Sequence, residues 1–179
     1  SLIDMLTGAK NGSRRKRKSE TPPNRASVVA QAPCMSDLLD ALRMVARTES
    51  TVLLTGETGT GKNHLASFLH RASPRRNEPF VVVPCGGIAE NLVESELFGH
   101  VQGAFTGADR DRVGKLERAA NGTILLDEVD CLPPSAQTRL LRALEERVFE
   151  RLGGETSQPF TARVVALSNV SLWDEVQAK

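Results

Sequence analysis

Gly56-Glu57-Thr58-Gly59-Thr60-Gly61-Lys62 is the stretch that decides the fold. Before it runs Thr51-Val52-Leu53-Leu54-Thr55, a short apolar strand pattern. After it comes a helical pattern with Leu65, Ala66 and Leu69 on one side. A glycine loop between a strand and a helix is the context that a phosphate-binding P-loop requires. The glycines let backbone N–H groups turn toward phosphate oxygens, and the helix N-terminus adds partial positive charge. Lys62 is then the point charge for the β- and γ-phosphates. The competing reading is a glycine-rich turn with an incidental lysine, and the flanking elements weigh against it. Asn63 stands where P-loops usually carry Ser or Thr. Its amide oxygen reaches Mg²⁺ through water or accepts a hydrogen bond, but it is no hydroxyl ligand.

Working outward, Met35, Leu38, Leu39, Leu42, Val45 and Ala46 recur at helical spacing ahead of the first strand. Phe80-Val81-Val82-Val83 reads as a second buried strand, Glu90 to Phe98 as a helix, and Thr123-Ile124-Leu125-Leu126 as a third strand. Pro133-Pro134 starts a helix with Ala136, Leu140, Leu141 and Leu144 inward. Arg163-Val164-Val165-Ala166-Leu167 is a fourth strand. Strands alternating with helices imply right-handed crossovers and a parallel sheet covered on both faces. Aromatic residues make up only 4% of the chain, so the core is mainly aliphatic, which suits such a sheet.

The charge balance is uneven. Residues 1–26 hold seven Lys+Arg against two Asp+Glu, and the remainder holds 16 against 20. The globular part therefore gives no electrostatic reason to bind nucleic acid. The basic segment 1–26, ended by Pro22-Pro23, reads as a linker or tail; contact with nucleic acid or an acidic partner is the alternative. Leu2, Ile3, Met5 and Leu6 fit the last turn of a helix from an upstream domain, and the chain begins on Ser1 rather than Met. No apolar run approaches the ~20 residues needed to span a bilayer. Cys34, Cys85 and Cys131 are far apart and odd in number, which gives neither a metal spacing nor a disulfide framework. A reducing cytoplasm is the expected location.

Leu125-Leu126-Asp127-Glu128 ends the third strand in two carboxylates, the Walker B pattern. Asp127 is expected to hold Mg²⁺, directly or through water, and Glu128 to polarise the attacking water. A solvated acidic turn is the alternative, and the P-loop upstream disfavours it. Ser168-Asn169 closes the fourth strand; in an AAA+ reading a polar side chain there detects the γ-phosphate, and a simple turn or helix cap is the other reading. Between the P-loop and the acidic pair lies Gly103-Ala104-Phe105-Thr106-Gly107-Ala108, a glycine-bracketed loop with one aromatic. That composition is poor helix material and poor core material, so an exposed loop is expected.

Five strings in order resemble the ATPase domain of the bacterial enhancer-binding activators of sigma-54 RNA polymerase. They are the P-loop, Glu94-Ser95-Glu96-Leu97-Phe98-Gly99-His100, the Gly103–Ala108 loop, Gly122 to Glu128, and Glu150-Arg151-Leu152-Gly153-Gly154. The resemblance covers roughly residues 27–179. It implies an α/β AAA+ three-layer sandwich with strand order 5-1-4-3-2, assembled as a homo-oligomeric ring, commonly a hexamer, or a mixed ring with a paralogue. It implies ATP and Mg²⁺ as cofactors and the sigma-54 holoenzyme as partner. Gly56, Glu57, Thr58, Gly59, Thr60, Gly61, Lys62, Asn63 and Asn169 would bind nucleotide. Lys62, Asp127 and Glu128 would carry hydrolysis. Gly103, Ala104, Phe105, Thr106, Gly107 and Ala108 would form the loop that touches the sigma factor, with Phe105 and Thr106 as the contact residues. Arg147 to Arg151 resembles a second pore-facing loop.

Two departures bear on this likeness. Family members often carry an asparagine where Pro84 stands, and that asparagine restrains the Walker B glutamate. Proline has no side-chain donor, so the restraint on Glu128 is expected to be lost. The chain also stops before the segment that carries the family's arginine fingers, fifth strand, helical lid and helix-turn-helix. The expectation is a partial AAA+ domain over 27–179, with the first strand left as an apolar edge. DNA binding is expected only through the missing helix-turn-helix, with no membrane contact. The alternative function is a nucleotide-binding subunit or inhibitory fragment that does not hydrolyse ATP.

Overall fold

The computed structural model describes residues 33–170. The basic segment 1–26 and the Leu2–Leu6 pattern lie outside the described residues. The elements in chain order are helix α1 (Pro33–Ala46), strand β1 (Val52–Thr55), α2 (Lys62–Arg71), β2 (Phe80–Pro84), α3 (Glu90–Phe98), β3 (Gly99–His100) and β4 (Arg112–Val113). There follow α4 (Lys115–Ala119), β5 (Thr123–Asp127), α5 (Pro134–Glu146), β6 (Val148–Glu150), β7 (Ser157–Pro159) and β8 (Arg163–Ser168). Short 3₁₀ turns occupy Cys85–Gly87 and Val129–Cys131.

Four strands form one parallel sheet in the order β1-β8-β5-β2. This is the 1-4-3-2 part of the expected order. The two central strands are the most apolar and the most enclosed: residues 123–126 and 163–168 are all buried. Side chains alternate between the two faces of the sheet. Ile124, Leu126, Val164 and Ala166 pack with Val93, Leu97, Leu116, Ala136 and Leu140 from α3, α4 and α5. Leu125, Val165 and Leu167 pack with Leu39, Leu42, Ala46, Ala66 and Leu69 from α1 and α2. Two aliphatic cores, one on each face, make the three layers.

The periodicity misplaces three side chains. Leu38 and Leu141 are exposed, and Ala143 takes the inward place on α5. Both leucines sit at the margin of an apolar stripe, where one step of 100° moves a side chain from core to solvent. The second strand is not buried throughout: at this edge of the sheet Val82 is exposed and Phe80 and Val81 are half-buried. At the opposite edge, β1 pairs only with β8 among the described residues, and Leu53 is exposed there. Arg163 fixes α1 to the sheet. Its buried guanidinium donates to the carbonyls of Val45 (2.8 Å), Ala46 (3.0 Å) and Ser50 (3.3 Å), which meets acceptors left over at the end of the helix.

Two small antiparallel pairs, β3 with β4 and β6 with β7, complete the structure. They are joined through Leu152, whose N–H donates to Gly99 O (2.9 Å) and whose carbonyl accepts from Val101 N–H (3.0 Å).

Candidate functional site

In open parallel sheets, ligands sit beyond the carboxyl ends of the strands. Three such ends meet here. The loop of residues 56–61 follows β1, Asp127 and Glu128 close β5, and Asn169 follows β8. The order β1-β8-β5 makes them neighbours although Lys62 and Asn169 are 107 residues apart in sequence.

The loop turns through left-handed backbone at Gly59 (φ 84) and Gly61 (φ 86), the latter being the residue before α2. No side chain caps that helix, and among the described residues the N–H groups of Gly61, Lys62 and Asn63 have no acceptor. Unmet donors at a helix N-terminus are an anion site in geometry and in field. Lys62 is buried there, and its Nζ donates to Gly56 O (2.7 Å), Glu57 O (2.9 Å) and Asn169 Oδ1 (2.8 Å). Thr60 Oγ1 donates to Glu57 O at 2.8 Å and stiffens the loop. Glu57 and Thr58 stay exposed on its outer side.

The acidic pair divides. Asp127 Oδ2 accepts from Asn63 Nδ2 at 2.9 Å, and Glu128 Oε1 accepts from Asn169 Nδ2 at 3.1 Å. The side chains of Lys62, Asn63, Asp127, Glu128 and Asn169 thus form one cluster. A single carboxylate and an amide suit Mg²⁺, which keeps several waters and takes further oxygens from phosphate. Glu128 holds φ 56 and ψ 54, a strained region for a residue with a side chain. Such outliers persist where the surrounding structure over-determines them. Below the pair lies Cys85, whose thiol is pushed up to about 12 by burial and by the nearby Asp127. It is inert core, not a nucleophile.

The Gly103–Ala108 loop stands apart from this cluster. Gly103 (φ 81) and Gly107 (φ 99) make the expected bends, and Gly103 N–H donates to Ala108 O at 2.9 Å. Phe105 is 38% exposed, and its ring meets His100 edge-on at 5.0 Å. His100 is buried and shares a 2.8 Å hydrogen bond with Ser95. Thr106 is exposed, whereas Ala108 is buried and anchors the loop. Ala104 packs so tightly on Gly153 that a Cβ there would sit 2.8 Å from its own.

Sequence reading missed several contributors. Gly86 lies beneath the Glu128 carboxylate, and a Cβ at that position would collide with it. The paired glycines Gly86-Gly87 after the second strand were the available signal. Arg151 clamps Glu117 with Nε at 3.1 Å and Nη2 at 2.9 Å, which fixes the loop after β6 to α4. No local pattern announces that pair.

The parallel sheet, the uncapped helix behind the loop and the strand-end acids define an AAA+ P-loop NTPase domain. Residues 28–179 match the Sigma-54 interaction domain family, and the chain belongs to it. It is 48% identical over 150 residues to the DNA-binding transcriptional activator HyfR of Escherichia coli (strain K12), covering 84% of this chain and 22% of that protein. NtrX from Brucella abortus, solved in complex with ATP, superposes with a TM-score of 0.78 at 32% identity, over 86% of this chain and 33% of that one. The P-loop NTPase domain of the sigma-54 transport activator from E. coli gives 0.53 at 18% identity, over 84% of each chain, a likeness of fold. The chain spans about a fifth to two fifths of the length of the curated relatives it matches.

Proposed function

We propose that this chain is the ATP-hydrolysing part of a transcriptional activator that remodels sigma-54 RNA polymerase. The observation that carries the reading is the convergence of Lys62, Asn63, Asp127, Glu128 and Asn169 at an uncapped helix N-terminus. Phosphoryl transfer needs positioning and charge neutralisation more than covalent chemistry, and these groups supply both. The free N–H groups of residues 61–63 and the Lys62 ammonium bind the phosphates. Mg²⁺, held by Asp127 directly or through water with Asn63 beside it, would draw negative charge from the phosphate oxygens. Glu128 orients the attacking water and accepts its proton. Asn169 faces the γ-phosphate.

The output is the Gly103–Ala108 loop. A continuous run of structure links it to the acidic pair: Glu128, the Val129–Cys131 turn, α5, β6, then Leu152 and Gly153 against Val101 and Ala104. Spatial continuity makes this the candidate route for coupling. Phe105, exposed at the tip, offers apolar area to the sigma factor. Assembly into a ring, commonly of six copies or mixed with a paralogue, would bring a neighbour's arginine to each site, a contribution worth ~10³–10⁵ in rate. The cytoplasm is the compartment where such a partner resides. No helix among the described residues is long and apolar enough to cross a membrane.

One observation favours a second reading, a subunit that binds nucleotide without turning it over. Asn63 replaces the hydroxyl ligand, and its amide already engages Asp127. The two readings separate in one experiment. A protein containing this chain is assayed for open complexes at a sigma-54 promoter with ATP and with a non-hydrolysable analogue. Opening with ATP alone supports the activator. Nucleotide binding without hydrolysis or opening supports the second reading.

A further inference from the structure

The Gly103–Ala108 loop rises from the stem formed by β3 and β4, and that stem is firmly held. Gly99 pairs with Val113 and His100 with Arg112. Gly99 and Gly114 approach so closely that a Cβ on either would collide with the backbone of the other. Arg112 Nη2 meets Glu96 Oε1 at 2.6 Å, which pins β4 to α3. On the β3 side, His100 is buried against Ser95, and Leu152 brackets the strand through Gly99 O and Val101 N–H.

Above the stem the support thins. Gly103 N–H donates to Ala108 O (2.9 Å) and Ala108 N–H to Phe105 O (3.0 Å), bonds internal to the loop. They fix its shape but not its angle to the stem. The return arm, residues 109–111, is exposed. Among the described residues its side chains make one hydrogen bond: Asp111 Oδ1 accepts from Gln102 N–H at 2.8 Å. Gln102 immediately precedes Gly103, whose positive φ starts the turn. The bond therefore ties the outgoing arm to the return arm where the loop leaves the stem. A carboxylate accepting from a backbone N–H makes a charge-assisted bond, stronger than a neutral one.

We propose that Asp111 is a positioning residue for the output loop: it ties the two arms together and so sets the direction in which Phe105 and Thr106 are offered to a partner. It acts through Gln102 and stands outside both the nucleotide cluster and the six-residue loop. Without the tie the arms can part. A partner must then order the loop as it binds, and that ordering costs affinity. This rests on the reading of the Gly103–Ala108 loop as the output device.

The test compares Asp111→Ala with Asp111→Asn in a protein containing this chain. Amide hydrogen exchange resolved at Gln102 reads the bond itself. Association with purified sigma-54, measured with ATP in a Glu128→Gln background, reads the positioning. Asp111→Ala should speed Gln102 exchange at least about fivefold and weaken sigma-54 association about three- to tenfold. Asp111→Asn keeps an acceptor oxygen and should stay within about twofold of the parent in both. ATP affinity should move less than about twofold in either variant. A larger change would assign the loss to the fold and overturn the positioning role. Unchanged Gln102 exchange in Asp111→Ala overturns the tie; weaker association alongside it would make Asp111 a direct contact instead. A parent that binds no sigma-54 overturns the output reading together with the positioning role. A parent that binds, equalled by Asp111→Ala despite faster exchange, overturns the positioning role alone.

Discussion

Phe105→Ala separates an output device from a core residue. Truncating a fully buried phenylalanine costs ~3–5 kcal/mol. Phe105 is 38% exposed, and among the described residues the one ring it meets is His100 at 5.0 Å. Scaling by the buried share leaves at most about 2–3 kcal/mol, including the ~0.5–1.5 kcal/mol of the aromatic pair. For a domain of this size, that lowers the melting temperature by no more than about 10 °C. The loop's own hydrogen bonds, Gly103 to Ala108 and Ala108 to Phe105, run through the backbone and survive the change. The nucleotide cluster contains no atom of this loop, so nucleotide affinity should change less than about twofold. The assay is made in a protein containing this chain, with thermal melting, ATPase rate and sigma-54 open-complex formation measured in parallel. We expect a modest loss of stability, retained hydrolysis and loss of open complexes by at least about tenfold. A large drop in melting temperature with every activity lost together would refute the reasoning and make Phe105 a core residue.

Other perturbations have equally definite outcomes. Lys62→Ala removes a charge-assisted contact worth roughly 1.5–3 kcal/mol, so ATP affinity should fall at least about tenfold by calorimetry; unchanged binding would remove the P-loop assignment. Asp127→Ala should weaken Mg²⁺-dependent binding, while Glu128→Gln should bind ATP and suppress hydrolysis; normal turnover by Glu128→Gln would disprove its catalytic role. Burial, with Arg71 adding to it, lowers the pKa of His70 below its ordinary value. Its contribution to stability is therefore present above pH ~6.5 and lost as the pH falls through the folded-state value. His70→Gln should flatten the pH dependence of the melting temperature on the acid side, and an unaltered slope would exclude His70 as its source.

What the chain discloses about itself follows the range of its interactions. The P-loop, the Walker B pair and the four main strands are local patterns: one requires glycines before a helix, another acids at a strand end. Their physical causes lie within a dozen residues, so they read directly. Arg163 shows the limit. In sequence it opens an apolar strand, yet its guanidinium is what closes α1, through carbonyls up to 118 residues away. The hydrogen bond from Asn169 to Glu128 is similar, since the two side chains meet only because β8 lies beside β5. The strands β3, β4, β6 and β7 are two or three residues long, too short for an alternation to register. Leu38, Leu141 and Val82 mislead for another reason: an apolar residue at a stripe margin or a sheet edge has no local signature of exposure.

The most direct measurement is the association of purified sigma-54 with this chain as a function of nucleotide. Parent, Glu128→Gln, Lys62→Ala and Phe105→Ala proteins are compared with ATP, with ADP and without nucleotide. If the P-loop site drives the Gly103–Ala108 loop, Glu128→Gln with ATP binds sigma-54 most tightly. Lys62→Ala and Phe105→Ala then fail to bind for different reasons, the first having lost nucleotide and the second retaining it. Association indifferent to nucleotide, or undiminished by Phe105→Ala, would contradict the assignment of this chain as an ATP-driven sigma-54 remodeller.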